Sequence, residues 1–229
     1  TMFYNALDMK MFGGILYNNE GGLYNFTEET LMTSYLGLKY ISAVVTANSY
    51  TSINGSEPTA EGRIAIANTE YIYTDIKDAD TFLGYSVDAY VDKDNILRSI
   101  AVNESYNETM ILDDGHDIKT PTSRTRIQYY DEKDKLRTLN LNPYVNVIYN
   151  HVACPDFKAE DFKIKNGYVK LIDNNHDNVY DIAFVNEYTS FMPYIVYDSE
   201  YKIEDIMGNT YDLSEMIVRN KYRGMKDMD

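Results

Sequence analysis

Short runs of alternating or β-branched apolar residues recur along most of this chain, broken about every ten residues by Asp, Asn and Gly, and that rhythm commits it to a β architecture. Ile41–Val45 reads as a buried strand. Ile64–Ala67 and Glu70–Tyr73 flank Asn68-Thr69 as a short hairpin. Tyr85–Val91 alternates, and Asp92-Lys93-Asp94-Asn95 turns it into Ile96–Val102. Arg126–Tyr130 and Lys135–Leu141 flank a second such turn, Asp131-Glu132-Lys133-Asp134. Tyr144–Tyr149, Tyr168–Ile172, Tyr180–Val185 and Met192–Tyr197 complete the predicted strands.

The two ends read differently. Met2, Phe3, Ala6, Leu7 and Met9 stand at helical spacing before Gly13-Gly14. Thr27 can cap a second helix whose first turn carries Glu28 and Glu29, with Leu31, Met32, Tyr35 and Leu36 on one face and Gly37 as the stop. From Ile203 the pattern returns toward helix, with Leu213, Met216 and Ile217 in phase. The expected fold is mainly β, as two small β-barrel or sandwich-like units with short helical segments at both ends. The expected divisions are a helical lead-in over 1–39, a first β unit over 40–112, a second over 113–202 and a helical tail over 203–229. The polar stretch Leu112-Asp113-Asp114-Gly115-His116-Asp117 is the candidate boundary between the β units. No clean internal repeat stands out.

Charge narrows the partners. Lys and Arg number 21 against 36 Asp and Glu, a net charge of −15 in 229 residues. Such a chain is repelled by phosphate backbones and anionic lipid, so no nucleic acid is expected and divalent cations are favoured instead. No apolar run reaches the roughly eighteen residues that span a bilayer, so no membrane insertion is expected. The one cysteine, Cys154, forbids an intrachain disulfide and fits both a reducing cytosol and a cysteine-poor bacterial surface. Twenty-three Tyr, no Trp and abundant Asn have the texture of an extracellular β protein. The abrupt start at Thr1 and the ending Lys221–Asp227 read as a piece of something longer.

One stretch carries specific chemistry. In Asp173-Asn174-Asn175-His176-Asp177-Asn178-Val179-Tyr180-Asp181, oxygen donors fall at Asp173, Asn175, Asp177 and Asp181, with the Val179 carbonyl between them. Calcium takes six to eight hard oxygen ligands, which a tight loop with alternate donors can aim inward. Asn178 stands where such loops need a left-handed residue, usually glycine. Phe184 occupies the place of an EF-hand's last ligand, and the flanks are strand-like, so the loop caps a β-hairpin. The expected ion is structural calcium; the plain alternative is an Asn/Asp turn without metal.

The loop with its flanks, Val169–Val185, resembles a segment recurrent in large surface proteins of clostridia and related Gram-positive bacteria, which carry S-layer homology modules followed by β-rich domains. Met2–Asp8 resembles the closing helix of the last such module, Val44-Val45-Thr46-Ala47-Asn48 the first strand of the domain that follows, and Phe82-Leu83-Gly84-Tyr85-Ser86-Val87 its Tyr-Leu-Gly-Tyr-type motif. The resemblance implies an extracellular, cell-surface, S-layer-associated protein with no assigned catalysis in this region. The anchoring modules themselves are missing from this sequence, and the glycine expected at Asn178 is absent.

Other features are weaker. His116, His151 and His176 form no metal-spaced pair, and Cys154 near His151 lacks a third orienting group, so no enzyme is expected. The many carboxylates leave a glycosidase pair as the least supported reading. Asp113–Asp117 is either a second cation site or a plain turn, and Gly13-Gly14 and Gly21-Gly22 are loop glycines. Asn25, Asn54, Asn103 and Asn107 fit the Asn-x-Ser/Thr pattern, which chance also produces in such a composition. Tyr71, Tyr73, Tyr85, Tyr90, Tyr129, Tyr130, Tyr188, Tyr194 and Tyr197 lie on or beside strands. They either fill the core, anchor self-association or contact with other surface-layer proteins, or form a glycan platform. The expected role is non-catalytic assembly or display at the cell surface, with a carbohydrate-binding or adhesive module as the alternative.

Overall fold

The computed structural model describes residues 31–53, 55–74, 76, 78–113, 116–119, 123–188 and 192–213, together with short strands at 15–17, 23–25, 219–220 and 224–225. The chain is mainly β, with curled sheets, one of them a half-barrel. It divides into two compact units, 1–187 and 188–229. In the first unit, β1 (Ile15–Tyr17) and β2 (Leu23–Asn25) form a hairpin. An antiparallel sheet follows in the order β5-β4-β3-β6-β7, built from β3 (Lys39–Ala47), β4 (Arg63–Ile66), β5 (Thr69–Ile72), β6 (Ser86–Val91) and β7 (Leu97–Val102). A seven-stranded sheet comprises β8 (Glu108–Leu112), β9 (Asp117–Ile118), β10 (Arg126–Tyr130), β11 (Leu136–Tyr149), β12 (Val152–Ala153), β13 (Gly167–Asp173) and β14 (Tyr180–Glu187). Its order is β8-β13-β14-β11-β10-β9, with β12 on β11 and the pair β11–β14 parallel.

The second unit holds an antiparallel sheet of β15 (Pro193–Tyr197), β16 (Lys202–Asp205) and β17 (Thr210–Asp212), followed by the pair β18 (Arg219–Asn220) and β19 (Gly224–Met225). Where the tail from Ile203 is described it is strand, because Ile203 and Tyr211 pair across β16 and β17. Met216 and Ile217 lie outside the described residues, as do Met2–Met9 and Thr27–Glu29. Of the predicted second helix, Leu31–Tyr35 forms a single π-type turn. The change of sheet comes at Asn103–Asn107, ahead of the polar stretch at 113–117, because β8 pairs with β13. Tyr144–Tyr149 joins Leu136–Leu141, most of the predicted Lys135–Leu141 strand, in the one long strand β11, and the ladder to β14 breaks register between Leu141 and Asn146, around Pro143.

The seven-stranded sheet is covered on both faces. Neighbouring residues on a strand point to opposite sides, so Ile148, Ile172 and Ile182 join the core of the first sheet beside Val45, Ile64, Val87 and Val91. Val147, Leu171, Ala183 and Val185 instead meet Phe157 and Phe162, whose rings stack edge to face at 4.7 Å. Burial on both sides explains why Val169–Ile172 and Ile182–Val185 read as near-continuous apolar runs.

Three hairpin turns share one construction. In each, an aspartate carboxylate accepts the backbone N–H groups two and four residues ahead. Asp92 takes Asp94 and Ile96 (both 2.9 Å), Asp131 takes Lys133 and Lys135 (both 3.0 Å), and Asp205 takes Met207 and Asn209 (2.8 and 2.9 Å). The residue three ahead has positive φ: Asn95 at 60°, Asp134 at 53° and Gly208 at 81°. The remaining carboxylate oxygen accepts from a side chain six ahead: Arg98, Arg137 or the Tyr211 hydroxyl.

Two glycines fit close approaches. At Gly84 (φ 85°) an added Cβ would stand 3.2 Å from the Ile182 side chain, and at Gly167 (φ 130°) it would stand 1.8 Å from the Asn186 carbonyl oxygen. Gly84→Ala is therefore expected to cost about 1–2 kcal/mol and Gly167→Ala about 3 kcal/mol. Urea unfolding checks this, as lower midpoints at an unchanged slope.

Candidate functional site

The loop between β13 and β14 is organised by Asp173, which is 1% exposed at the end of β13. Its Oδ1 accepts the N–H groups of Asn175 and His176 at 3.1 and 2.7 Å, and its Oδ2 accepts that of Asn178 at 2.8 Å. Asn175 Oδ1 accepts from Asp177 N–H (3.0 Å), and Asp177 Oδ1 from Val179 N–H (2.9 Å). His176 and Asn178 adopt positive φ of 60° and 65°, so Asn178 does take the left-handed place anticipated for it. Asp181, on β14, accepts from Asn142 Nδ2 at 2.9 Å and from Asn174 N–H at 3.4 Å. Asn174 Nδ2 in turn donates to the Gly84 carbonyl at 3.0 Å, which ties the loop to the first sheet.

The five predicted donors thus lie in one hairpin, four in its loop and Asp181 on β14, and each of the four donor side chains has an oxygen that accepts a loop or neighbouring N–H. Among the described residues, no group of three or more His, Cys, Asp or Glu is placed to hold a metal ion. Burial pushes Asp181 above the usual carboxylate range, the hydrogen bonds from Asn142 and Asn174 oppose this, and the charges of Asp177 and Asp173 add to the push.

The remaining sequence candidates scatter. Asp113 Oδ1 lies 3.0 Å from His116 Nδ1 at a cleft of about 390 Å³ that Asp117, Asp131, Lys163 and Lys165 also line. Asp114 and Gly115 lie outside the described residues. Cys154 packs half-buried against the second core, whereas the His151 ring faces Tyr50 at 6.4 Å between centroids. Asn103 and Asn107 use their amides inside the fold: Asn103 donates to Asp88, and Asn107 both donates to and accepts from the Ser86 backbone. No helix among the described residues is long and apolar enough to cross a membrane.

The tyrosines divide by face. Tyr71, Tyr90 and Tyr129 are buried and Tyr130 is exposed, the opposite orientation expected of adjacent strand residues. Tyr73 and Tyr149 are pushed up to about 12, the first mainly by burial and then by Asp80, the second mainly by its 2.5 Å hydrogen bond to Glu187. Sequence reading passed over Tyr144, which is 89% exposed beside the irregular stretch of β11. It also missed the shared turn, although Tyr90-Val91-Asp92 with Leu97-Arg98 and Tyr129-Tyr130-Asp131 with Leu136-Arg137 repeat one spacing.

No protein-family model matches the chain, and no curated protein matches it.

Asp92, Asp131 and Asp205 are all held below the ordinary carboxylate value of 3.8. Backbone N–H donation from Ile96 leads for Asp92 and from Lys135 for Asp131, and the Asn209 side chain leads for Asp205. Their support is present above 3.8 and is lost as pH falls through the lower folded values. The thermal midpoint should therefore fall with acidification below 3.8, and Asp131→Ala should lower the neutral midpoint while flattening that acid dependence.

Proposed function

We propose that this chain is a non-catalytic structural module of an extracellular, S-layer-associated bacterial surface protein, working in assembly or display, and that its 173–181 loop takes calcium as a structural ion. The observation that carries the calcium reading is the gathering of Asp173, Asn175, Asp177 and Asp181 at one hairpin tip, where the charges of Asp177 and Asp173 add to the burial that raises Asp181. A divalent cation would offset the negative charge gathered there. A carboxylate oxygen bound to one N–H keeps a further lone pair for it. Asp173, Asn175, Asp177 and Asp181 would supply side-chain oxygens and Val179 its carbonyl.

The ion's effect would be mechanical. Asn174 binds the Gly84 carbonyl, so a stiffened loop would also stiffen the junction of the two sheets. The surface reading is supported by the resemblance of the loop and its flanks, by a charge of −15 and by a β-rich fold whose turns are built from Asp and Asn. Assembly is supported by the second unit, where Met192, Tyr194, Val196 and Met207 are all more than half exposed.

Thermal unfolding with calcium on the order of millimolar against excess chelator tests the ion, because a ligand of the native state raises the midpoint by mass action. The wild type should gain several degrees. Asp177→Asn keeps an oxygen for the Val179 N–H but removes a charge, and it should lose most of that gain. Equal midpoints with calcium and chelator would leave the loop as a metal-free turn.

A further inference from the structure

We propose that Asn166 is a site of spontaneous modification, converting through a succinimide to aspartate and isoaspartate in the folded protein. Asn is followed by Gly twice in this sequence, at 54–55 and 166–167, and Asn54 lies outside the described residues. A following glycine offers its amide nitrogen without a Cβ to obstruct the approach. At 167 that glycine is imposed by the fold, since a Cβ would meet the Asn186 carbonyl oxygen at 1.8 Å.

Two further observations favour Asn166. It is exposed, and its side chain makes no hydrogen bond among the described residues. By contrast, Asn48, Asn103, Asn107, Asn174 and Asn209 each donate their side-chain amide to an oxygen of the fold. The nucleophile is also not locked to its neighbour on β14. Gly167 stands opposite Glu187, whose own N–H goes to Asn150 Oδ1 at 2.9 Å. Glu187 thus turns its backbone groups away from β13, and this is a pair of the antiparallel ladder that exchanges no hydrogen bond.

The chemistry needs only water. The Gly167 nitrogen bonds to the Asn166 side-chain carbonyl carbon, and the carbon–nitrogen bond of the side-chain amide breaks. Ammonia departs with the proton given up by Gly167. Water then opens the ring at either carbonyl, leaving aspartate or isoaspartate; nothing is oxidised or reduced. The isoaspartate branch adds a methylene to the backbone at the entry to β13, beside the tight contact of Gly167 with Asn186.

Native protein held in mildly alkaline buffer and sampled by isoelectric focusing and peptide mass mapping tests this. Asn166 is expected to be the first of the described asparagines to become acidic, with part of the product labelled by isoaspartyl methyltransferase. Asn166→Gln should remove that acidic species and leave the starting fold and midpoint unchanged. The same incubation in urea supplies the unfolded reference. An Asn166 amide that survives in the native protein while it converts in urea, or while another described asparagine converts first, overturns the proposal.

Discussion

The fold rests on carboxylates accepting backbone N–H groups at the hairpin tips. A tight turn leaves amide protons that no strand partner satisfies, and a carboxylate within reach accepts them as charge-assisted hydrogen bonds. Asp92, Asp131, Asp173 and Asp205 each gather two or three of them, and Asp80 does similar service for Ser49 N–H and the Tyr73 hydroxyl. A share of the acidity of this chain is therefore spent internally, on amide donors and on Arg98 and Arg137 beside them.

With the turns set, the seven-stranded sheet can be buried on both faces. β13 and β14 form the spine of the first unit because each carries apolar side chains alternately into both cores. The 173–181 loop joins those two strands and binds the Gly84 carbonyl, so it stands at the junction of the two sheets rather than at a free tip. Gly84 lies against Ile182 for the same reason: an added Cβ there would be tightly placed, 3.2 Å from the Ile182 side chain.

Much of this was legible beforehand. The hairpins at Asp92–Asn95 and Asp131–Asp134 announce themselves by turn residues between alternating runs, and Asn178 by its place in the Asp/Asn loop. Sequence reading failed where a local pattern had two meanings. Ile203 begins a stretch compatible with helix, yet pairing of Ile203 with Tyr211 makes it strand. Asn142-Pro143 looked like a break between strands, but β11 runs through it by losing register with β14. The shared turn was missed because its third member, Asp205, ends on Tyr211 where the other two end on arginine, and donor equivalence shows only in the bonds.

By itself the sequence determined the strand periodicity, the turn chemistry, the acidic charge and the clustering of oxygen donors at 173–181, because each of these is a property of residues within a few positions of one another. Only the tertiary structure decided that β8 belongs with β13, that β11 and β14 run parallel, that one sheet serves two cores and that Asn174 reaches the Gly84 carbonyl. Those are contacts between residues far apart in the chain. They are selected by which apolar faces can be buried together, and no local spacing records that choice.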